Sequence, residues 1–165
     1  MTKSLRPGPR RLARELALRL LFQRQLSGGS PEAAIRDFER CFSPEKDEEN
    51  GLEVAPADFQ GAWPLAQEFF LGVCAHLEGL DEAISQASEH WSLRRMSPVD
   101  LALIRLAYFE MLYREDIPPL VSLNEAVDLG RSYGSHDSGA FINGVLDKLM
   151  PRDSPAAKEA AKDVV

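Results

Sequence analysis

Cysteine is scarce in this chain: two residues of 165, Cys41 and Cys74, in no close-spaced motif. That excludes a disulfide-stapled secreted scaffold and leads us to expect a reducing compartment, the cytoplasm. Long apolar runs are missing as well. No stretch approaches the roughly 20 residues needed to cross a bilayer, and mean hydropathy is -0.25. The opening MTKSLRPGPRR is basic but has no apolar stretch behind it that could act as a signal peptide. Eleven glycines without a three-residue period exclude collagen. Period-2 alternation of β-branched residues is absent, so strands are not expected. Positive charge is in the minority, with 19 Lys+Arg against 26 Asp+Glu and a net charge of -7. Such a balance argues against a protein that coats nucleic acid non-specifically.

What is present is an ordinary globular composition, 44% hydrophobic and 27% charged, long enough for one domain with a real core. The charge is unevenly placed. Residues 1–24 sum to +6, residues 25–93 to -11 and residues 94–165 to -2. That asymmetry suggests a polyanion-binding end on a body able to attract a basic partner, with a merely solvated basic tail as the plain alternative.

Turn residues divide the chain into about seven helical segments. The first runs from about Arg10 to Leu26, with Leu12, Leu16 and Leu20 on one stripe, and is stopped by Gly28-Gly29. Ser30-Pro31 offers an N-cap and a first-position proline for a second helix through about Phe42. Residues 43–60 are acidic and rich in turn formers and read as a loop. A third helix is predicted from Trp63 to Leu77, closed near Gly79, and a fourth from an Asp81 cap to Trp91. Ser97-Pro98-Val99-Asp100 is a capping-box arrangement opening a helix to Tyr113 that is apolar nearly all round and belongs in the middle of a bundle. Ser122-x-x-Glu125 is read as the cap of a sixth helix ending at Tyr133-Gly134. The seventh starts at Asp137-Ser138 and is ended by Pro151. The expected organisation is a flexible basic arm over 1–9, an all-α domain over 10–150 and a disordered tail over 151–165.

Catalytic or metal chemistry finds little support. The histidines, His76, His90 and His136, form no i,i+4 pair, and Cys74 and His76 point to different faces of a helix. Cys74 and His76 read as a core cysteine and a surface histidine. There is no GxSxG elbow, P-loop or GxGxxG. We therefore expect no enzyme activity, no cofactor and no metal. Trp63 and Trp91 are potential ligand platforms, although a tryptophan at a helix end is more often a core plug. The arginine cluster is the best chemical signal. Arg10 and Arg14 share a helical face, Arg11 lies beside it, and Lys3 and Arg6 precede them. Arginines at a helix start oppose the helix dipole but suit phosphate binding together with free backbone N–H groups. Spacing alone does not choose between RNA, DNA and lipid.

RRLARELALRLLFQ near the start, then SPVD, IRLAYFEMLYREDIPP, SLNEAVDLGRSYG and FINGVLDKL in order over residues 91–149, resemble the bacterial NusB antitermination family. The resemblance implies an all-helical fold of about seven helices and binding of the boxA element of ribosomal RNA leader transcripts. It also implies a small-subunit ribosomal protein partner, NusE, within an RNA polymerase antitermination complex that includes other Nus factors. By resemblance, Arg10, Arg11 and Arg14, with Lys3 and Arg6, belong to the RNA site. Phe22 is implied as an aromatic near it, and Tyr133, Asp137, Ser138 and Phe141 as its second part, the RNA lying between the two. Read without the family, Phe141 is ordinary core packing and Asp137 and Ser138 are caps. Asp100 matches an acidic residue implied in partner docking, and as the N3 acid of the capping box it has a second role. Two departures stand out. Gly139-Ala140 occupies the place where many members carry a lysine, which implies weaker RNA affinity and greater reliance on NusE. Leu101 replaces a frequent charged residue. The alternatives are a protein-only helical module and a domain related to ribosomal RNA cytosine methyltransferases.

Overall fold

The computed structural model describes residues 8–42, 54–89 and 91–151. Residues 1–7 of the expected arm over 1–9, including Lys3 and Arg6, the loop from 43 to 53, His90, and residues 152–165 of the expected tail over 151–165 lie outside the described residues, whereas Pro9 already belongs to a helix. The described residues form seven α-helices and no strand. They fall into two units, divided after Leu71.

In the first unit, α1 (Pro9–Ser27) follows the predicted stripe and buries Leu12, Leu16 and Leu20. Its stop is conformational: Gly28 and Gly29 have φ of 69° and 89°, where a Cβ would be strained. The Ser30 hydroxyl accepts from the Ala33 N–H and starts α2 (Pro31–Cys41) as predicted. The next helix, α3 (Pro56–Ala75), begins seven residues earlier than the Trp63 start read from sequence, so 56–60 are helical rather than loop. Pro64 stands inside the helix, and Pro56 occupies the first-turn position. Phe38, Phe42, Phe59 and Trp63 close a four-membered ring of stacked aromatics with centroids 4.9–5.2 Å apart. The Trp63 indole N–H donates to Glu39 Oε1 at 2.9 Å, so this tryptophan is a buried plug with its polar edge satisfied.

The second unit holds α4 (Leu77–Ala87), a short 3₁₀ turn (Leu93–Arg95), α5 (Pro98–Tyr113), α6 (Pro119–Tyr133) and α7 (Ser138–Leu149). Its centre is α5, which packs against α4, α6 and α7 and buries residues on every side. Leu101 is one of them, so this departure from the family pattern is a core residue. The capping box holds in its first half: Ser97 Oγ accepts from the Asp100 N–H at 3.1 Å.

Three predicted boundaries in this unit are corrected. Gly79 does not close α3, because only His76 separates α3 from α4 and Gly79 lies within α4. Asp81 is not a cap but an ion-pair partner of Arg105 across two helices. Ser122 lies inside α6, which Pro119 starts, and its buried hydroxyl donates to Glu110 Oε1 of α5. In the last two cases a polar residue read as a local cap serves a tertiary contact. Also, α4 ends at Ala87, short of Trp91, which is 52% exposed and no plug. His76 is exposed as expected, stacked on Tyr113 at 4.0 Å, while Cys74 is half-buried rather than core.

Candidate nucleic-acid interface

The cationic helix start belongs to the first unit. The N-cap of α1, Gly8, makes no side-chain cap, Pro9 takes the first helical position, and no acid lies in the first turn. Among the described residues the backbone N–H groups there have neither a side-chain cap nor a first-turn carboxylate, and the positive end of the helix dipole favours an anion. Arg10 is exposed at this end. Arg11 is half-buried, with Nε 3.6 Å from Glu15 Oε1 one turn on. Arg14 is different: it is 3% exposed, and its guanidinium lies 5.9 Å from the centroid of the Phe69 ring of α3. The shared face of Arg10 and Arg14 is therefore outward at the helix end and covered one turn deeper. Phe22, 36% exposed, lies on the same side of α1 as Arg11, eleven residues on.

The second unit contributes the α6–α7 turn. Tyr133 is 36% exposed at the end of α6, Asp137 is exposed, and Phe141 is half-buried, so it is not ordinary core. The turn is tied by Ser138, whose buried hydroxyl accepts from the Ser135 N–H at 2.9 Å and meets the Ser135 hydroxyl at 3.2 Å. That hydroxyl serves the turn itself, and the side chain of Asp137 makes no cap. Gly134 is required by close approach rather than by φ, because a Cβ there would collide with Ser138 Oγ and the Gly130 carbonyl.

Arg131 of α6 lies over Gly139, where a Cβ would sit 3.0–3.1 Å from its Cγ and Nε. The absence of side chain at Gly139 gives Arg131 room, and with Asn124 and Asn143 it lines a groove between α6 and α7. Asp128 Oδ1 lies 3.6 Å from its guanidinium, a loose and exposed pair. Arg131 is the residue that sequence reasoning missed here; Trp91 reads from the sequence as a potential ligand platform, with a core plug as the more frequent alternative. Its exposure of 52% favours the platform over the plug.

Asp100 is 7% exposed, and its Oδ1 is buried without a hydrogen-bond partner among the described residues. No group of three or more metal-capable side chains occurs among the described residues, and no described helix is long and apolar enough to cross a membrane.

Comparison with known proteins agrees with this architecture. The NusB family matches residues 11–151. The transcription antitermination protein NusB of Desulfitobacterium hafniense (strain DSM 10664 / DCB-2) is 43% identical over 144 residues, covering 86% of this chain and 87% of its own. That of Geobacter sulfurreducens is 40% identical over 142 residues, covering 86% and 94%. Among solved structures, T. maritima NusB aligns with a TM-score of 0.69 at 30% identity, over 96% of this chain and 99% of that one. A crystal structure of the antitermination factors NusB and NusE in complex with dsRNA aligns with a TM-score of 0.66 over 86% and 95%, and at 23% identity it bears on the fold alone. With the family matched over most of its length, and relatives of about 40% identity covering it nearly end to end, this chain belongs to the NusB family.

Proposed function

We propose that the protein is a non-enzymatic transcription antitermination factor of the cytoplasm that binds single-stranded boxA RNA and docks the ribosomal protein NusE. In this role it promotes read-through by RNA polymerase together with other Nus factors. The observation that carries the reading is the start of α1: an uncapped, acid-free helix end bearing the exposed Arg10 on a chain of net charge -7. A helix end of this kind favours phosphate over any cationic ligand.

The two units have distinct parts in this reading. In the first, Arg10 and Arg11 bind phosphates, with Lys3 and Arg6 of the preceding segment, and Phe22 offers a ring on the same helix. Arg14, being buried, holds the helix rather than the RNA. In the second, Tyr133 and Phe141 stack bases, Asp137 bonds base edges, Ser138 shapes the turn and Arg131 supplies the cation that Gly139-Ala140 lacks. Phosphate contacts of this kind give affinity, and base contacts give selectivity. The unpaired Oδ1 of Asp100 is an acceptor that a donor of the basic partner would satisfy.

The test is a binding titration with boxA RNA and a scrambled RNA of equal length, with and without NusE. The reading expects preference for boxA, strengthened by NusE. Equal affinity for the two RNAs would overturn the boxA reading, and no binding of either, with NusE bound all the same, would establish a protein-only module instead.

A further inference from the structure

Beside Phe141, the second unit contains a cavity of about 320 Å³ lined by Ser88, Glu89, Trp91, Phe141 and Lys148 among others. We infer that this cavity receives one unstacked base of the bound RNA strand, with Trp91 as its stacking surface and the Ser88 hydroxyl as its polar contact. The inference rests on the RNA-binding reading above.

Three observations support it. First, Ser88 is 7% exposed, and its Oγ has no hydrogen-bond partner among the described residues. Buried hydroxyls are nearly always paired, so one left without a partner in a residue that lines the cavity is a place for a ligand's donor or acceptor. Its backbone is already in use, accepting from the Trp91 N–H at 2.8 Å and donating to the Ile84 carbonyl at 3.0 Å. Second, that same bond fixes Trp91, which stays 52% exposed and meets Phe141 edge-on, centroids 6.5 Å apart at 75°. Two rings at right angles form a corner in which a flat heterocycle stacks on one and abuts the other. Third, the polar rim suits a nucleotide. Lys148 Nζ, held by the Ala87 carbonyl at 3.3 Å, is placed for a flanking phosphate, and the Glu89 carboxylate accepts from an exocyclic amine. The exposed carboxylate also makes that side of the rim unsuited to a phosphate. Because Phe141 belongs both to the α6–α7 turn and to the cavity, the corner continues the second RNA patch.

The experiment combines salt-dependent boxA titrations of the full chain with ¹⁹F NMR of fluorotryptophan-labelled protein, the Trp91 signal being assigned by Trp91→Phe. The inference expects the Trp91 signal to shift with boxA and saturate together with binding. Trp91→Ala should weaken binding about tenfold with an unchanged salt slope, since a ring displaces no counterion. Trp91→Phe should stay within about threefold of the parent by retaining a stacking face. Ser88→Ala should weaken boxA binding while leaving thermal stability unchanged or higher, because it deletes a hydroxyl with no internal partner. If the parent protein prefers boxA but Trp91→Ala and Ser88→Ala bind it equally well, the cavity assignment is wrong and the RNA reading stands. If the parent shows no preference for boxA, both fail. A Trp91 signal that moves with NusE alone, and not with RNA, would assign the corner to a protein side chain and overturn the inference.

Discussion

The Arg105 guanidinium grips the Asp81 carboxylate with both prongs, Nε to Oδ1 at 2.7 Å and Nη2 to Oδ2 at 2.8 Å, joining α5 to α4 across 24 residues of sequence. The pair is only 15% and 26% exposed, so it is sheltered from the screening that weakens surface bridges. Asp81→Ala should destabilise the fold by about 1–3 kcal/mol in urea unfolding. Arg105→Lys should recover only part of this, because an ammonium cannot reproduce the fork. Equal stabilities for the parent and both variants would show that the bridge contributes nothing.

Arg14 and Arg10 should separate cleanly. Arg14→Ala removes a buried stem and a guanidinium over the Phe69 ring, and should cost about 1–3 kcal/mol of stability. Arg10→Ala, at an exposed helix end, should stay within about 0.5 kcal/mol of the parent. Chemical denaturation of the two variants checks this, and similar losses for both would contradict the division of roles.

How far the sequence reveals this molecule depends on the range of each interaction. Ser30-Pro31 and Ser97-Pro98 were legible as helix starts because a cap is satisfied within three residues. Asp81 and Ser122 have the same local chemistry, but their partners, Arg105 and Glu110, come from another helix, and no local pattern announces that. Helix spacing correctly put Arg10 and Arg14 on one face, yet spacing is silent on how far along that face the covering begins. The ring-bearing turn was legible only through family resemblance. Trp63 and Trp91 look alike as helix-end tryptophans in the sequence, and only tertiary burial separates the plug from the exposed ring.

At the α6–α7 turn, Gly134→Ala should be costly. The added methyl would strike Ser138 Oγ and the Gly130 carbonyl, and the turn has little room to yield. A loss of about 1–3 kcal/mol is expected, together with weaker boxA binding as Tyr133 and Phe141 are displaced. A variant with the parent's stability and affinity would show that the turn adapts.

Alkaline pH offers a further check on α5. Burial first, and the neighbouring Tyr113 second, raise the Tyr108 hydroxyl above its ordinary value of 10.0. In the unfolded chain Tyr108 therefore loses its proton first, and above that pH the unfolded state binds fewer protons than the folded one. This contribution is full below pH 10 and falls as pH rises through the folded-state value. Tyr108→Phe should flatten that part of the decline in urea unfolding followed from about pH 9 upward. An identical alkaline slope in the variant would refute the assignment.

The central claim is that arginines at the start of α1 hold the phosphates of single-stranded RNA. Its most direct measurement is boxA affinity against salt concentration for the parent and for the Arg10→Ala/Arg11→Ala double variant. The account predicts weaker binding and a log–log slope shallower by about 1.4, some 0.7 for each single-strand phosphate that is no longer neutralised. Unchanged affinity and slope in a folded variant would contradict it.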